Sequence, residues 1–147
     1  SVGSQYGGSN QFLEYKGIRY TREDGFKKSR YFLQQRVFVA DFDNDGRNSV
    51  VVANNRDSAN SFLARTRIYK KGEIVSLTWE RSGLVRDRKT RPVSGYIADF
   101  DIADYDSDGK EEIVYSVSTS GGILDTKESS RVFSIDGFEQ VSSADYF

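Results

Sequence analysis

Apolar residues in this chain come in short runs, often at alternate positions, and no stretch keeps them at the i, i+3, i+4, i+7 spacing of an amphipathic helix. Val37 to Ala40 and Ser49 to Ala53 are rich in β-branched residues and flank a turn of Asp, Asn and Gly, a hairpin signature. Thr66 to Tyr69 and Ile74 to Trp79 follow, parted by Lys70-Lys71-Gly72-Glu73, which predicts a second turn. Further along, Tyr96 to Ala103, Glu112 to Val117, Arg131 to Ile135 and Phe138 to Val141 repeat the plan. The pattern predicts strand after strand.

The repetition extends to the residues themselves. Val37-Phe38-Val39-Ala40-Asp41-Phe42-Asp43-Asn44-Asp45-Gly46 through Val52 aligns without a gap on Phe100-Asp101-Ile102-Ala103-Asp104-Tyr105-Asp106-Ser107-Asp108-Gly109 through Tyr115, 63 residues later. With one added residue, Arg67-Ile68-Tyr69 answers to Arg131-Val132-Phe133, and Glu14 to Tyr20 sits loosely where Leu77 to Arg81 sits in the next unit. Four short antiparallel strands per unit is the plan of a propeller blade. The expected fold is therefore all-β. It comprises two antiparallel four-stranded blade-like repeats of a partial β-propeller, at residues 35–95 and 96–147, behind strands of a preceding unit with a basic loop at 11–34. Residues 1–10, rich in Gly and Ser, read as a flexible N-terminal arm, or as a docking strand if a partner orders it.

The aligned turns carry the candidate chemistry. Asp41-x-Asp43-x-Asp45-Gly46 and Asp104-x-Asp106-x-Asp108-Gly109 place three carboxylates at alternate positions of a tight bend. Side chains at positions 1, 3 and 5, a carbonyl at 7 and an acid at 9 of such a loop can converge on one ion. Calcium accepts this set because it takes about 6–8 oxygens in a flexible geometry, whereas magnesium dehydrates reluctantly. Three neighbouring aspartates repel one another, and a divalent cation compensates them. An EF-hand is rejected: position 12 is Val52 in one loop and Tyr115 in the other where a bidentate Glu is required, and the flanks are strand-like. Glu112 supplies the acid at position 9 of the second loop, but Ser49 stands there in the first, so the second site is expected to bind more tightly. Asp, Asn and Gly also favour turns without any ion, an explanation that two in-register copies weaken.

An apolar strand, Ala-Asp-x-Asp-x-Asp-Gly, two residues, a polar or acidic ligand and a Val- or Ile-rich strand together resemble the FG-GAP and VCBS-type repeats of calcium-binding β-propellers, of which the integrin alpha-subunit head is the best known. The resemblance implies two Ca2+ ions. One would be held by Asp41, Asp43, Asp45, the Arg47 carbonyl and Ser49, the other by Asp104, Asp106, Asp108, the Lys110 carbonyl and Glu112. It also implies an extracellular, cell-surface or periplasmic location and adhesion or scaffold duty. Ser49 at the last ligand position and the lack of clear Phe-Gly and Gly-Ala-Pro signatures depart from the family pattern.

Composition narrows the chemistry further. With no Cys and no His among 147 residues, thiolate, Fe–S and Cys/His zinc chemistry are excluded, and a bound metal must take oxygen ligands. The net charge of −1 argues against a nucleic-acid-binding domain, and no apolar run approaches a membrane span. Two stretches are basic nonetheless. Arg19 to Arg36 carries six cations against two acids and Arg81 to Arg91 five against one; as loops on one rim they would hold an anionic glycan or lipid head group. Most of the 19 Phe and Tyr residues and the single Trp are expected inside, with Phe38, Phe100, Tyr115 and Phe133 alternating inward, and Tyr6, Tyr15, Tyr20 and Tyr31 are the candidates for an exposed interface.

Length then changes meaning. Propellers close with about 4–8 blades, and 147 residues hold little more than two units of 63. The start at Ser1 and the lack of Met lead us to expect a processed product or a piece of something longer. Open strand edges call for cover, by a partner chain or by self-assembly. The leading expectation is a non-enzymatic, calcium-stabilised module for adhesion or assembly. The alternatives are a subunit of an extracellular filament or heteromer, and a fragment of a polysaccharide-acting enzyme, for which no acid–base carboxylate pair stands out.

Overall fold

The computed structural model describes residues 6–16, 28–42, 45–57, 69–119 and 129–140. Among them every regular element is a strand. In chain order these are β1 (Phe12–Lys16), β2 (Lys28–Phe32), β3 (Phe38–Ala40), β4 (Ser49–Asp57), β5 (Tyr69–Glu80), β6 (Gly83–Lys89), β7 (Val93–Ser94), β8 (Tyr96–Ala103), β9 (Glu112–Thr119), β10 (Ser129–Ile135) and β11 (Glu139–Gln140). All pairings are antiparallel and none of the three sheets closes on itself.

The largest sheet is a meander, β3-β4-β5-β6, joined at its far edge by β11; a second sheet has the order β10-β9-β8, and β1 and β2 form a hairpin of their own. Alternation along the strands sends Val51 and Ala53 of β4 and Ile74 of β5 to one face. There they meet Ile97 and Phe100 of β8 and Ile113, Tyr115 and Val117 of β9 in one apolar cluster. The two larger sheets are thus packed through a shared core. Val52, Val75 and Leu77 make a smaller cluster on the opposite face of the first sheet. Phe38 packs on Phe100 with centroids 5.3 Å apart, and Tyr115 stacks on Phe133 at 5.5 Å. Phe133 stays at the rim, 36% exposed, because its strand is the sheet edge.

Several local expectations are corrected. Lys70-Lys71-Gly72-Glu73 is not a turn: Lys71, Gly72 and Glu73 pair with Arg56, Asn55 and Asn54 inside one long strand. Gly72 is there for closeness rather than for bending, since a Cβ on it would lie 2.8 Å from both Asn55 Oδ1 and Ile97 Cγ1. Arg81 to Arg91 is not a loop either. After a turn at Arg81 and Ser82 the chain becomes β6 and follows β5, with Thr90 exchanging hydrogen bonds with Ile74. Pro92, which has no N–H to give a ladder, falls in the break between β6 and β7. Gly95 then turns the chain toward the second sheet at φ 129°, with its N–H on the Lys70 carbonyl. The second unit keeps three strands in its own sheet; its expected fourth pairs through Glu139 and Gln140 with Lys89 and Arg88 of β6. The strand expected at Thr66 to Tyr69 lies outside the described residues up to position 68.

The stretch taken as a flexible arm is docked where it is described. Tyr6 bridges to Asn54, the Gly7 N–H donates to the Ala53 carbonyl at 2.8 Å, and Gly7, Gly8 and Ser9 are buried. These residues extend the sheet beside β4, past the point where β3 begins.

Candidate metal centre

Both aspartate loops leave the same end of the core, one joining β3 to β4 and the other β8 to β9. They share one hydrogen-bond pattern, which explains why this sequence bends here. In the first, Asp41 accepts the Asp45 N–H on Oδ1 (3.1 Å) and the Gly46 N–H on Oδ2 (2.9 Å), and Asp45 accepts the Arg47 N–H at 2.8 Å. In the second, Asp104 accepts the Asp108 N–H (3.1 Å) and the Gly109 N–H (3.0 Å), and Asp108 accepts the Lys110 N–H at 2.8 Å. Gly46 and Gly109 sit at φ 83° and 90°, the left-handed region that other residues enter at a steric cost. Ser107 also enters it, at φ 64°.

In the second loop the carboxylates converge. Asp104, Asp106, Asp108 and Glu112 each offer an oxygen within 4.8 Å of the others. Oxygens around a calcium ion at about 2.4 Å are at most about 5 Å apart, so this spread suits a single ion. Glu112, at the start of β9, is buried, while the three aspartates are exposed. Its Oε2 accepts the Tyr105 N–H at 2.7 Å, which ties position 9 of the loop to position 2. The backbone N–H groups occupy only part of the acceptor capacity, since a carboxylate has about four lone-pair sites. The Lys110 N–H holds the Asp108 carboxyl below its ordinary 3.8, helped by the Lys110 ammonium 3.3 Å away. That contact in turn raises the Lys110 ammonium above its usual range. Asp108 therefore stays ionised at neutral pH.

In the first loop, Asp43 lies outside the described residues. Asp41 is half-buried and Asp45 exposed, and Ser49 at position 9 places its Oγ 3.2 Å from Thr78 Oγ1 on β5. The Thr78 partner and the Tyr105 amide are contributions that sequence spacing did not reveal. Arg47 and Lys110, whose carbonyls were expected to ligate, both directly follow the positive-φ glycine.

Between the loops lies a cleft of about 640 Å3, reached by Asp41 and Ser49 from one side and by Gly109 and Glu111 from the other. Asp99 and Asp101, on β8 just before the second loop, are paired with Arg36 at 2.7 and 3.7 Å. Arg86, one of the cations expected on a basic rim, turns inward to the buried Glu73 at 3.3 Å. Of the other basic-loop residues, Arg19, Arg22 and Lys27 lie outside the described residues, as does Tyr20. Comparison with known proteins finds no match for this chain among protein-family models, curated proteins or solved structures.

Proposed function

We propose that this chain is a calcium-stabilised, non-enzymatic β-repeat module of the propeller-blade type, working in adhesion or assembly outside the cell or at its surface. The observation that carries the reading is the convergence of Asp104, Asp106, Asp108 and Glu112 within 4.8 Å, in a loop whose Asp104 hydrogen bonds recur at Asp41, which accepts the Asp45 and Gly46 N–H groups. All four are hard oxygen ligands, the donor set that suits calcium, and magnesium would keep several of its waters rather than enter such a loop.

Three of the four carboxylates are solvent-exposed. An exposed loop of this kind suits the weak class of calcium site, with Kd of about 10⁻⁴–10⁻³ M, that extracellular modules use. The blade-type reading is supported by the β3-β4-β5-β6 meander, by the matching β8-loop-β9 unit, and by the core the two sheets share. Because a ligand bound only to the folded state stabilises it by mass action, calcium should raise the melting temperature and chelation should lower it. Calorimetric titration with calcium, paired with melting curves in calcium and in chelator, tests the proposal. Curves that coincide at millimolar calcium would sink it.

A further inference from the structure

We infer that two copies of this chain associate through β10, edge to edge and antiparallel about a two-fold axis at Val132, so that two three-stranded sheets become one. The inference rests on the assembly half of the proposed function and names the partner. The ion takes no part in it.

β10 is the third strand of its unit, the place that β5 holds in the first. β5 is paired on both sides, with β4 and with β6, whereas β10 pairs with β9 alone among the described strands. The fourth position of the second sheet is therefore open, and Glu139 and Gln140, which follow β10, pair with β6 of the other sheet instead. Ser129 to Ser134 are all exposed, Val132 at 72%.

This edge lacks the protection that the other edges of the two larger sheets carry. Proteins blunt open edges by shortening, bulging, charging or covering them. β3 has three residues. β6 bulges at Asp87, where Ser76 and Leu77 pair with Arg88 and Arg86, and is partly covered by β11. β8 bulges at Ala98, between Ile97 and Asp99, and Asn55 and Gln35 take the Ile97 backbone groups. β10 keeps an unbroken register over seven residues, from Ser129 on Thr119 to Ile135 on Ile113, with one charge and no Pro.

The sequence of the strand selects a second copy as the occupant. Val132 is its midpoint, so a two-fold axis there opposes Val132 to itself and pairs all seven residues. Ser130 then meets Ser134, and Ser129 meets Ile135. On the core side Arg131 meets Phe133 of the second copy, whose ring is 36% exposed beside Tyr115. A guanidinium over an aromatic face is attractive, and no like charges are opposed, as favourable cross-strand pairing requires. An axis at Arg131 would set that charge against its own copy, and one at Phe133 would leave Ser129 and Ser130 unpaired. In the joined sheet β8-β9-β10 is followed by β10-β9-β8 of the second copy, and both outer edges are the capped β8. A contact that uses the same strand on both copies is isologous, so association stops at a dimer.

Sedimentation equilibrium of the full chain, in calcium and in chelator, over concentrations reaching about 1 mM, enough to populate a weak contact, tests this. The mass should rise with concentration and level off at twice that of the chain. Val132→Lys and Val132→Glu each oppose like charges at the axis, and each should weaken the dimer at least about ten-fold. Mixed in equal amounts they oppose unlike charges and should restore a dimer containing one of each. The chain has no cysteine, so Val132→Cys supplies a second measurement that needs no charge. Opposed Cα atoms about 4.5–5.5 Å apart lie in disulfide range, and oxidation should cross-link that variant far more than Ser134→Cys. Circular dichroism verifies the fold of each variant. A wild-type chain that stays monomeric overturns the inference and leaves the edge to a peptide of another protein. Dimers indifferent to either charge at Val132, or cross-linking equal at the two positions, overturn it as well. A dimer with no calcium response sinks the metal reading alone, and a calcium response in a chain that stays monomeric sinks the dimer alone.

Discussion

The side-chain amide of Asn55 pairs with both backbone groups of Ile97: its Oδ1 accepts the Ile97 N–H at 2.9 Å and its Nδ2 donates to the Ile97 carbonyl at 3.0 Å. Ile97 lies on β8, at the outer edge of the second sheet, beside the register shift that precedes Asp99. Asn55 belongs to β4 of the first. One buried side chain therefore completes the edge of one sheet from within the other, and its amide also reaches the Gly8 carbonyl of the docked N-terminal segment.

Asn55→Ala should consequently destabilise the fold by more than an average polar truncation. It leaves the Ile97 N–H and carbonyl short of their partner, at about 1–3 kcal/mol for each buried group left unsatisfied, with Gln35 Nε2 still reaching that carbonyl. We expect a lower urea midpoint with an unchanged slope. A loss below about 0.5 kcal/mol, the scale of ordinary surface changes, would show that water replaces the amide.

A second polar centre lies further along β5. Glu73, 1% exposed, accepts on one oxygen from Asn54 (2.8 Å), Arg56 (3.0 Å) and Arg86 (3.3 Å). Arg86 is itself mostly buried, at 14% side-chain exposure, whereas Arg56 is 55% exposed. Breaking a buried pair by removing one partner costs about 3–5 kcal/mol, so Glu73→Ala should cost that much. Arg56→Ala, at the exposed end, should cost about 1 kcal/mol or less. Chemical denaturation of both variants checks the contrast; equal losses would mean that Arg56 is the dominant partner.

These two centres mark where the sequence stopped being legible. Strands whose apolar residues alternate, such as Tyr96 to Ala103, announced themselves because burial of one face dictates the period. Asn54 and Asn55 did not, since Asn is disfavoured in strands and the run seemed to end at Ala53. Side-chain hydrogen bonds across sheets override that preference, and such bonds leave no periodic trace. Lys70 to Glu73 looked like a turn for the same reason: a glycine needed for close approach to Asn55 and Ile97 cannot be told from a bending one by composition. β11 was misplaced because the pairing partner of a two-residue strand is decided by tertiary position. The aspartate loops were legible because their geometry is local, a carboxylate taking the amides four and five residues on.

Burial also gives the fold an alkaline limit. Tyr115 is buried against Phe133, and that burial holds its phenol above the ordinary 10.0. A tyrosine raised in the folded state keeps its proton where the unfolded chain has lost it. Its contribution is complete below pH 10.0 and is lost as pH rises through the folded value. Stability should fall with pH above about 10, and Tyr115→Phe should flatten that fall. Urea midpoints across this range, with tyrosinate absorbance read in parallel, test it. An identical slope in the variant would assign the effect to other tyrosines.

Glu112 separates the metal role of its loop from the structural one. Glu112→Gln keeps an oxygen that can accept the Tyr105 N–H but removes the buried charge at position 9. Calcium-free stability should therefore change little, while the calcium-induced rise in melting temperature should largely disappear. At calcium 100-fold above Kd that rise represents about 2.7 kcal/mol. Glu112→Ala should lose the same response and, in addition, about 1–3 kcal/mol of calcium-free stability, because the Tyr105 N–H loses its acceptor. Asp106→Ala should abolish the response of the second loop. Ser49→Ala should spare it and cost only the Thr78 contact, about 0.5–1.5 kcal/mol. Melting curves in calcium and in chelator for all four variants rank the two loops directly. A calcium shift that survives Glu112→Gln intact but vanishes in Ser49→Ala would reverse their order, placing the stronger ion in the Asp41 loop.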